Sequence, residues 1–242
     1  MKIAVIGTGL IGNQVVADLV AAGHEATGHS RSTGVDLLTG QGLDDAVRDA
    51  EVVVDVTNSP TFDDASLDFF RTSVTNLLAA AEKAGVGHIV TLSIVGVDRV
   101  PEMAYYRAKT LQEDLVKAGS IPYSIVRATQ FMEFAEPTMS WTTDGDVVRL
   151  PATPIQPITS AEVAAAVADA AANAPLNGTR NIAGPDVFTL DELGRITLEG
   201  TDRHVVTDDT AGLFAVIKGD ALLAPADAQL AGTHYRDWVR SK

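Results

Sequence analysis

The sequence predicts an α/β protein, a doubly wound parallel sheet followed by a small carboxy-terminal subdomain on the substrate side. Three observations carry that prediction. The first dozen residues, MKIAVIGTGLIG, join an apolar run of strand length to a glycine turn and then to helical spacing. Strand-type and helix-type segments then alternate to about residue 130, which implies right-handed βαβ crossovers. Beyond that point the alternation breaks, with no internal repeat and no low-complexity linker. Residues 1–130 are expected to form the sheet-bearing core. Residues 131–242 are expected to pack on the sheet edge within the same structural domain.

Each element has its own signal. Residues 2–6 read as the first strand, and the helix after Gly12 sets Val15, Val16, Leu19 and Val20 on one face. A short second strand follows the turn at Gly23 and runs over residues 25–29. Residues 30–42 are a Gly/Ser/Thr-rich loop with an apolar insertion at 35–38. A short helix is expected at 43–48 and a strand of β-branched residues at 52–56. After Pro60, the apolar positions Leu67, Phe70, Val74, Leu77 and Ala81 mark a long helix ending at Gly85. The fourth strand is expected at 88–92, the fourth helix at 103–118, and the fifth strand at 123–126. Short strands follow at 147–150, 155–158 and 179–183. Thr159 with Glu162, and Thr189 with Glu192, have capping-box spacing ahead of helices at 161–172 and 190–198. The tail from residue 212 reads as short helices or a lid.

The totals exclude several classes. The chain has 242 residues, of which 46% are hydrophobic, enough for a large core. No apolar run approaches the roughly 18 residues of a membrane span. The amino terminus enters a strand with no basic-then-apolar leader, so no secretory signal is expected and a cytoplasmic location is the default. With no cysteine, disulfides and thiolate chemistry are excluded. Eighteen basic against 32 acidic residues give a net charge of −14, a field that repels nucleic-acid phosphates. The five histidines show no metal spacing, so no metal is expected, and His88 at a strand start reads as structural.

The glycine turn is the first candidate site. Gly7 would permit the tight turn, Gly9 a close approach to a pyrophosphate, and Gly12 close packing of helix on strand. With Thr8, Leu10 and Ile11 these residues set a helix N-terminus, with its unpaired N–H groups, against phosphates. An acidic residue usually closes the second strand where NAD is bound. Here Ser30, Arg31 and Ser32 stand in its place, a guanidinium and two hydroxyls suited to a 2′-phosphate. Asp36 lies too far along the loop. NADP(H) is therefore expected over NAD(H).

The second candidate site lies further along. Ser93 ends the fourth strand, and Tyr105 and Lys109 follow four residues apart in YYRAK. On a helix that spacing puts both side chains on one face. A neighbouring ammonium would lower the phenol's pKa toward neutrality. Ser93 would then donate to a substrate carbonyl oxygen, Tyr105 would pass it a proton, and Lys109 would hold the nicotinamide ribose. Gln130, Phe131, Met132 and Phe134, after the fifth strand, are expected to line the nicotinamide and substrate. Asn76, a mid-helix amide, is expected to bond a neighbouring backbone group.

These pieces carry a resemblance. AVIGTGLIG, TGVDLLTGQGL, VVVDVTNSP, NLLAAAEKAGVGHIVTLS, YYRAK, IPYSIVRATQF and PITSAEVAAAVADA resemble the atypical, NmrA-like group of short-chain dehydrogenases/reductases, near its quinone-reductase-like members. The resemblance covers most of residues 1–185. It implies a Rossmann fold, NAD(P) binding and a Ser-Tyr-Lys site at Ser93, Tyr105 and Lys109. It also implies that Thr57, Asn58 and Ser59 border the cofactor's ribose and phosphates. The chain departs from the group in one respect, a glycine loop of the shorter G-x-G-x-x-G form. Many members lack the tyrosine and act as redox sensors, whereas this chain keeps Tyr105. The expected function is NAD(P)H-dependent reduction of a small carbonyl or quinone, with no nucleic-acid or membrane partner; such folds are frequently homodimers. The alternative expectations are a regulatory NADP(H) sensor without turnover, or an epimerase or isomerase that retains its cofactor.

Overall fold

A computed structural model describes residues 1–242. The chain runs β1 (Lys2–Ile6), α1 (Leu10–Ala21), β2 (Glu25–His29), α2 (Leu43–Ala46), β3 (Val52–Asp55), α3 (Ala65–Ala84), β4 (His88–Ile94), α4 (Ala104–Ala118) and β5 (Tyr123–Ala128). It continues with α5 (Ala135–Ser140), β6 (Thr143–Asp144), β7 (Val147–Leu150), β8 (Pro154–Ile155), α6 (Ser160–Ala172), β9 (Gly178–Ala183) and β10 (Phe188–Thr189). The last elements are α7 (Leu190–Thr197), β11 (His204–Thr207), β12 (Gln229–Leu230) and α8 (Tyr235–Arg240). Seven strands form a parallel sheet in the order β12-β9-β5-β4-β3-β1-β2. The doubly wound α/β class expected from the sequence is therefore the class observed.

The chain divides into two compact units. One comprises residues 1–127 and 161–180, the other residues 128–160 and 181–242. In the first unit, β1 pairs in parallel with β2 on one side and β3 on the other. The chain reverses its winding there, and in open α/β sheets such a switch point opens the crevice where ligands bind. The carboxyl ends of β1 and β3 carry Gly7 and Asp55–Asn58 to it. Central strands are covered on both faces, so β3 reads VVVD and is buried throughout. The edge strand β2, EATGH, is largely half-exposed.

Helix α1 buries Ile11, Val15 and Leu19, but Val20 is 53% exposed. At 100° per residue Val20 lies about 140° around the helix from Val15, outside the apolar stripe. Helix α3 buries Phe70, Val74, Leu77 and Ala81 at helical spacing and stops at Gly85, which adopts a left-handed conformation. Asn76 donates from Nδ2 to the carbonyls of Leu37 (2.8 Å) and Leu38 (3.3 Å), so it anchors the loop after β2 to α3. His88 is buried and shares a 2.9 Å hydrogen bond with Ser124 Oγ, which accepts the Leu176 N–H; burial lowers the imidazole's pKa.

The second unit contains a three-stranded sheet, β11-β7-β6, and a two-stranded sheet, β10-β8. Its buried side chains include Met139, Leu150, Leu193, Leu222 and Tyr235. The Thr189–Glu192 capping box is formed at the start of α7. The Ser160 N–H at the start of α6 donates to both Glu133 carboxylate oxygens at 3.1 Å, and Ser160 Oγ donates to Oε1 at 2.6 Å. The strand expected at 155–158 shrinks to two residues, since Pro157 has no N–H to give a ladder, and only a single bridge joins Ile158 to Phe131. Strand β11 was not foreseen, because its two valines lie between residues with loop character.

Candidate functional site

The glycine turn packs as its spacing predicts. Gly7 has φ +104°, and a β-carbon there would meet the Val56 carbonyl oxygen at 2.9 Å. A β-carbon on Gly12 would lie 1.8 Å from the Gly7 carbonyl oxygen, so only glycine lets α1 start this close to the turn. Gly9 differs. Its φ of −80° suits any residue, and a β-carbon there would meet nothing within 4 Å. The fold itself does not require glycine at position 9. No side chain caps α1 and no acid lies in its first turn. The opening N–H groups and positive helix end therefore suit an anion.

Beside this turn, Thr8 Oγ1 donates to Ser30 Oγ at 2.8 Å, and Ser30 Oγ lies 2.8 Å from Ser32 Oγ. Ser30 and Thr33 close a capping box around the short turn of residues 31–33, leaving Arg31 exposed and with no ion pair. The nearest acid, Asp36, is committed to its own loop and accepts the Leu38 N–H at 2.8 Å. No carboxylate is placed at the end of β2 to take ribose hydroxyls.

The third cluster surrounds Lys109, which is 4% exposed. Its ammonium donates to the Leu92 carbonyl at 2.8 Å and to Gln112 Oε1, and stands 4.9 Å from the Phe70 ring centroid. Gln112 Nε2 in turn donates to Asp55 Oδ2 at 2.7 Å. The other Asp55 oxygen accepts the Thr57 N–H (3.0 Å) and hydroxyl (2.6 Å). Burial brings the Lys109 amine down to about 8, against the opposing pull of Asp55 and Glu113. Tyr105 lies on the same face of α4, and its hydroxyl donates to Asn58 Oδ1. Its ring packs edge-on to Phe62 (5.0 Å) and tilted against Phe70 (6.2 Å).

Two expectations need correction. Tyr105 and Lys109 share a helix face, but Phe70 contacts both, and the hydroxyl and the ammonium have separate hydrogen-bond partners. Burial, followed by the neighbouring Tyr106, raises the Tyr105 pKa, whereas an adjacent ammonium was expected to lower it. Ser93 lies inside β4 and is buried, and its hydroxyl forms no well-aligned hydrogen bond. It is close enough to Glu113 to help hold that carboxyl ionised. Against the upward push of burial, Arg127, Ser93 and Lys117 keep Glu113 below the usual carboxylate range. Arg127 grips both Glu113 oxygens (2.8 and 2.7 Å) and reaches Asp98 at 3.1 Å.

In the second unit, Phe131 and Phe134 stack at 5.6 Å with Phe134 half-exposed. Met132 is core, at 1% exposure, and so has no surface to offer a ligand. Both Gln130 amide atoms are buried without a hydrogen bond. Asp55, Phe70 and Gln112 were not singled out as site residues from the sequence. The signal was present, since a carboxylate closing an all-valine strand must be paired, and Gln112 lies three residues beyond Lys109 on the same face.

Comparison with known proteins bears on this geometry. Residues 7–174 match the family model described as NAD(P)H-binding. The chain belongs to the NAD(P)H-binding family. No curated protein matches the sequence. Among solved structures, the chain is similar to a nucleoside-diphosphate-sugar epimerase from Staphylococcus aureus, with 17% identity, TM-score 0.72, and 99% and 100% of the two chains covered. It is also similar to an NADPH-dependent quinone oxidoreductase from Escherichia coli, with 18% identity, TM-score 0.67, and 99% of each chain covered. A third similar structure is the triphenylmethane reductase from Citrobacter sp. complexed with NADP(H), at 20% identity and TM-score 0.67, covering 86% of this chain and 79% of that one. At these identities the likeness shows a shared fold. A nicotinamide dinucleotide fits the residues present, with Gly9 open above the turn, α1 uncapped and Arg31 unpaired. No helix is long and apolar enough to cross a membrane.

Proposed function

We propose that this chain is an NADP(H)-dependent reductase of a small carbonyl or quinone, with Tyr105 as the proton donor. The pyrophosphate would rest on Gly7–Gly12, a 2′-phosphate would meet Ser30, Arg31 and Ser32, and the ribose side would meet Thr57, Asn58 and Lys109. The reduced nicotinamide, when bound, supplies the hydride. The carrying observation is the Tyr105 hydroxyl, held in its neutral form by burial and aimed at an acceptor, Asn58 Oδ1. Such a phenol keeps its proton at neutral pH and yields it readily to the alkoxide that develops on a reduced carbonyl, a far stronger base than a phenolate. The anion of a reduced quinone is itself a phenolate and takes the proton with less driving force. At neutral pH Tyr105 therefore rests in the protonated form that a reduction draws on. Substrate oxygen would take the place of Asn58 as acceptor.

The test follows NADPH oxidation with a panel of quinones, aldehydes and ketones. Tyr105→Phe should lower kcat by about 10²–10⁴-fold while NADPH binds as before. A second reading, an NADP(H) sensor without turnover, draws on the separate partners of Ser93, Tyr105 and Lys109. It prevails if NADPH binds tightly, no panel member is reduced, and Tyr105→Phe binds equally well.

A further inference from the structure

Tyr105 and Lys109 share no hydrogen bond, yet a path of hydrogen bonds and one peptide bond joins them by another route. From Lys109 it passes to Gln112, from Gln112 to Asp55, and from Asp55 to the backbone and hydroxyl of Thr57. The next residue is Asn58, which accepts the Tyr105 hydroxyl. All the side chains between the lysine and the loop are buried: Gln112 is 0% and Asp55 2% exposed. We propose that Gln112 and Asp55 are positioning residues of the site, coupling Lys109 to the loop that carries Asn58 and so to the placement of the Tyr105 hydroxyl. The inference rests on the reading of Tyr105 and Lys109 as site residues.

The chemistry of the link is restrictive. An ammonium offers only donors and an ionised carboxylate only acceptors, so a side chain that serves both must present one of each. The Gln112 amide does this, with Oε1 toward Lys109 and Nε2 toward Asp55. When Lys109 is charged, Gln112 Oε1 is held by a charge-assisted bond, and Nε2 is thereby fixed on Asp55. When the lysine loses its proton that bond weakens, and Asp55 is free to shift with the Thr57–Asn58 turn it anchors. The groups that face Lys109 are few. Asp55 comes from β3 and Glu113 from its own helix, while β4 offers the Leu92 carbonyl and α3 the Phe70 ring. None of them apart from Asp55 leads to the loop.

The test needs neither substrate nor cofactor. The full chain has six lysines and four tyrosines, few enough for Lys109 and Tyr105 to be assigned by NMR from Lys109→Met and Tyr105→Phe. In the wild type, the Tyr105 ring signal should shift with the same pH midpoint as the Lys109 side chain. Gln112→Met removes the acceptor on the ammonium and should lower the Lys109 midpoint by about one pH unit, a tenfold change in its dissociation constant, and silence the Tyr105 response. Thr57→Val removes the hydroxyl bond to Asp55 and keeps the N–H bond; it should leave the Lys109 midpoint in place and reduce the Tyr105 response. Thr57→Val also keeps the inference testable if the Gln112 variant does not fold. The proposal is overturned if Tyr105 is silent in the wild type, or if it follows Lys109 undiminished in Thr57→Val. A protein that shows this coupling but reduces no panel substrate would overturn the proposed activity alone.

Discussion

A β-carbon on Gly12 would lie 1.8 Å from the carbonyl oxygen of Gly7, whereas one on Gly9 would touch nothing in the protein. Two glycines of one motif thus differ: the fold requires Gly12 and leaves the space at position 9 open. Gly12→Ala should disrupt the start of α1 and destabilise the fold by several kcal/mol, as overpacking against backbone does. Gly9→Ala should leave the melting temperature unchanged and weaken NADPH binding at least about tenfold, since the added methyl fills ligand space. Thermal melts and NADPH fluorescence titrations on the two variants separate the roles. Equal losses of stability would contradict this division.

Arg31 is exposed and has no protein partner. If it meets a 2′-phosphate, Arg31→Ala removes a charge-assisted hydrogen bond of about 1.5–3 kcal/mol. The KM for NADPH should then rise about ten- to a hundredfold while that for NADH barely moves. Similar changes for both cofactors would remove the basis for an NADP(H) preference.

The Glu113–Arg127 pair is a buried two-pronged contact, in contrast to the exposed Arg48–Asp45 pair. Arg127→Met leaves Glu113 ionised and partly unpaired in the interior, and should cost about 3–5 kcal/mol. Disrupting Arg48–Asp45 should cost no more than about 1 kcal/mol. Urea denaturation of the two variants measures the contrast directly.

Lys109 supplies a pH dependence of stability. Burial brings its amine down to about 8 from an ordinary value of 10.5. Below pH 8 both folded and unfolded chains hold the proton, and the folded state bears the full cost of the buried charge. Between pH 8 and 10.5 the unfolded chain binds more protons, so stability rises with pH across that window. Relative to Lys109→Met, the wild type should gain roughly 3 kcal/mol from pH 7.5 to pH 10.5. A constant difference between the two proteins would show that the lysine is not so perturbed.

The first unit was legible because its signals are local. The strand–turn–helix opening, the alternation through Ala128 and the stripe from Phe70 to Ala81 each follow from residues near in sequence. The packing roles of Gly7 and Gly12 were legible for the same reason. The partners of Tyr105 were not. Four-residue spacing correctly placed Tyr105 and Lys109 on one face of α4, but Phe70 and Asn58 reach them from α3 and the loop after β3. Such contacts between elements have no sequence periodicity. In the second unit, β8, β10 and β12 have only two residues each, too short for any alternation to be read.

The Gln112 amide also limits how this sequence can drift. Changed alone to an acid, position 112 would face Asp55 with a second negative charge; changed alone to a base, it would face Lys109 with a second positive one. An apolar residue would take one partner from each. Positions 55, 109 and 112 are therefore expected to vary together across relatives or hardly at all. An alignment in which Gln112 changes freely beside an unchanged Asp55 and Lys109 would show that the interior tolerates what the chemistry of donors and acceptors forbids.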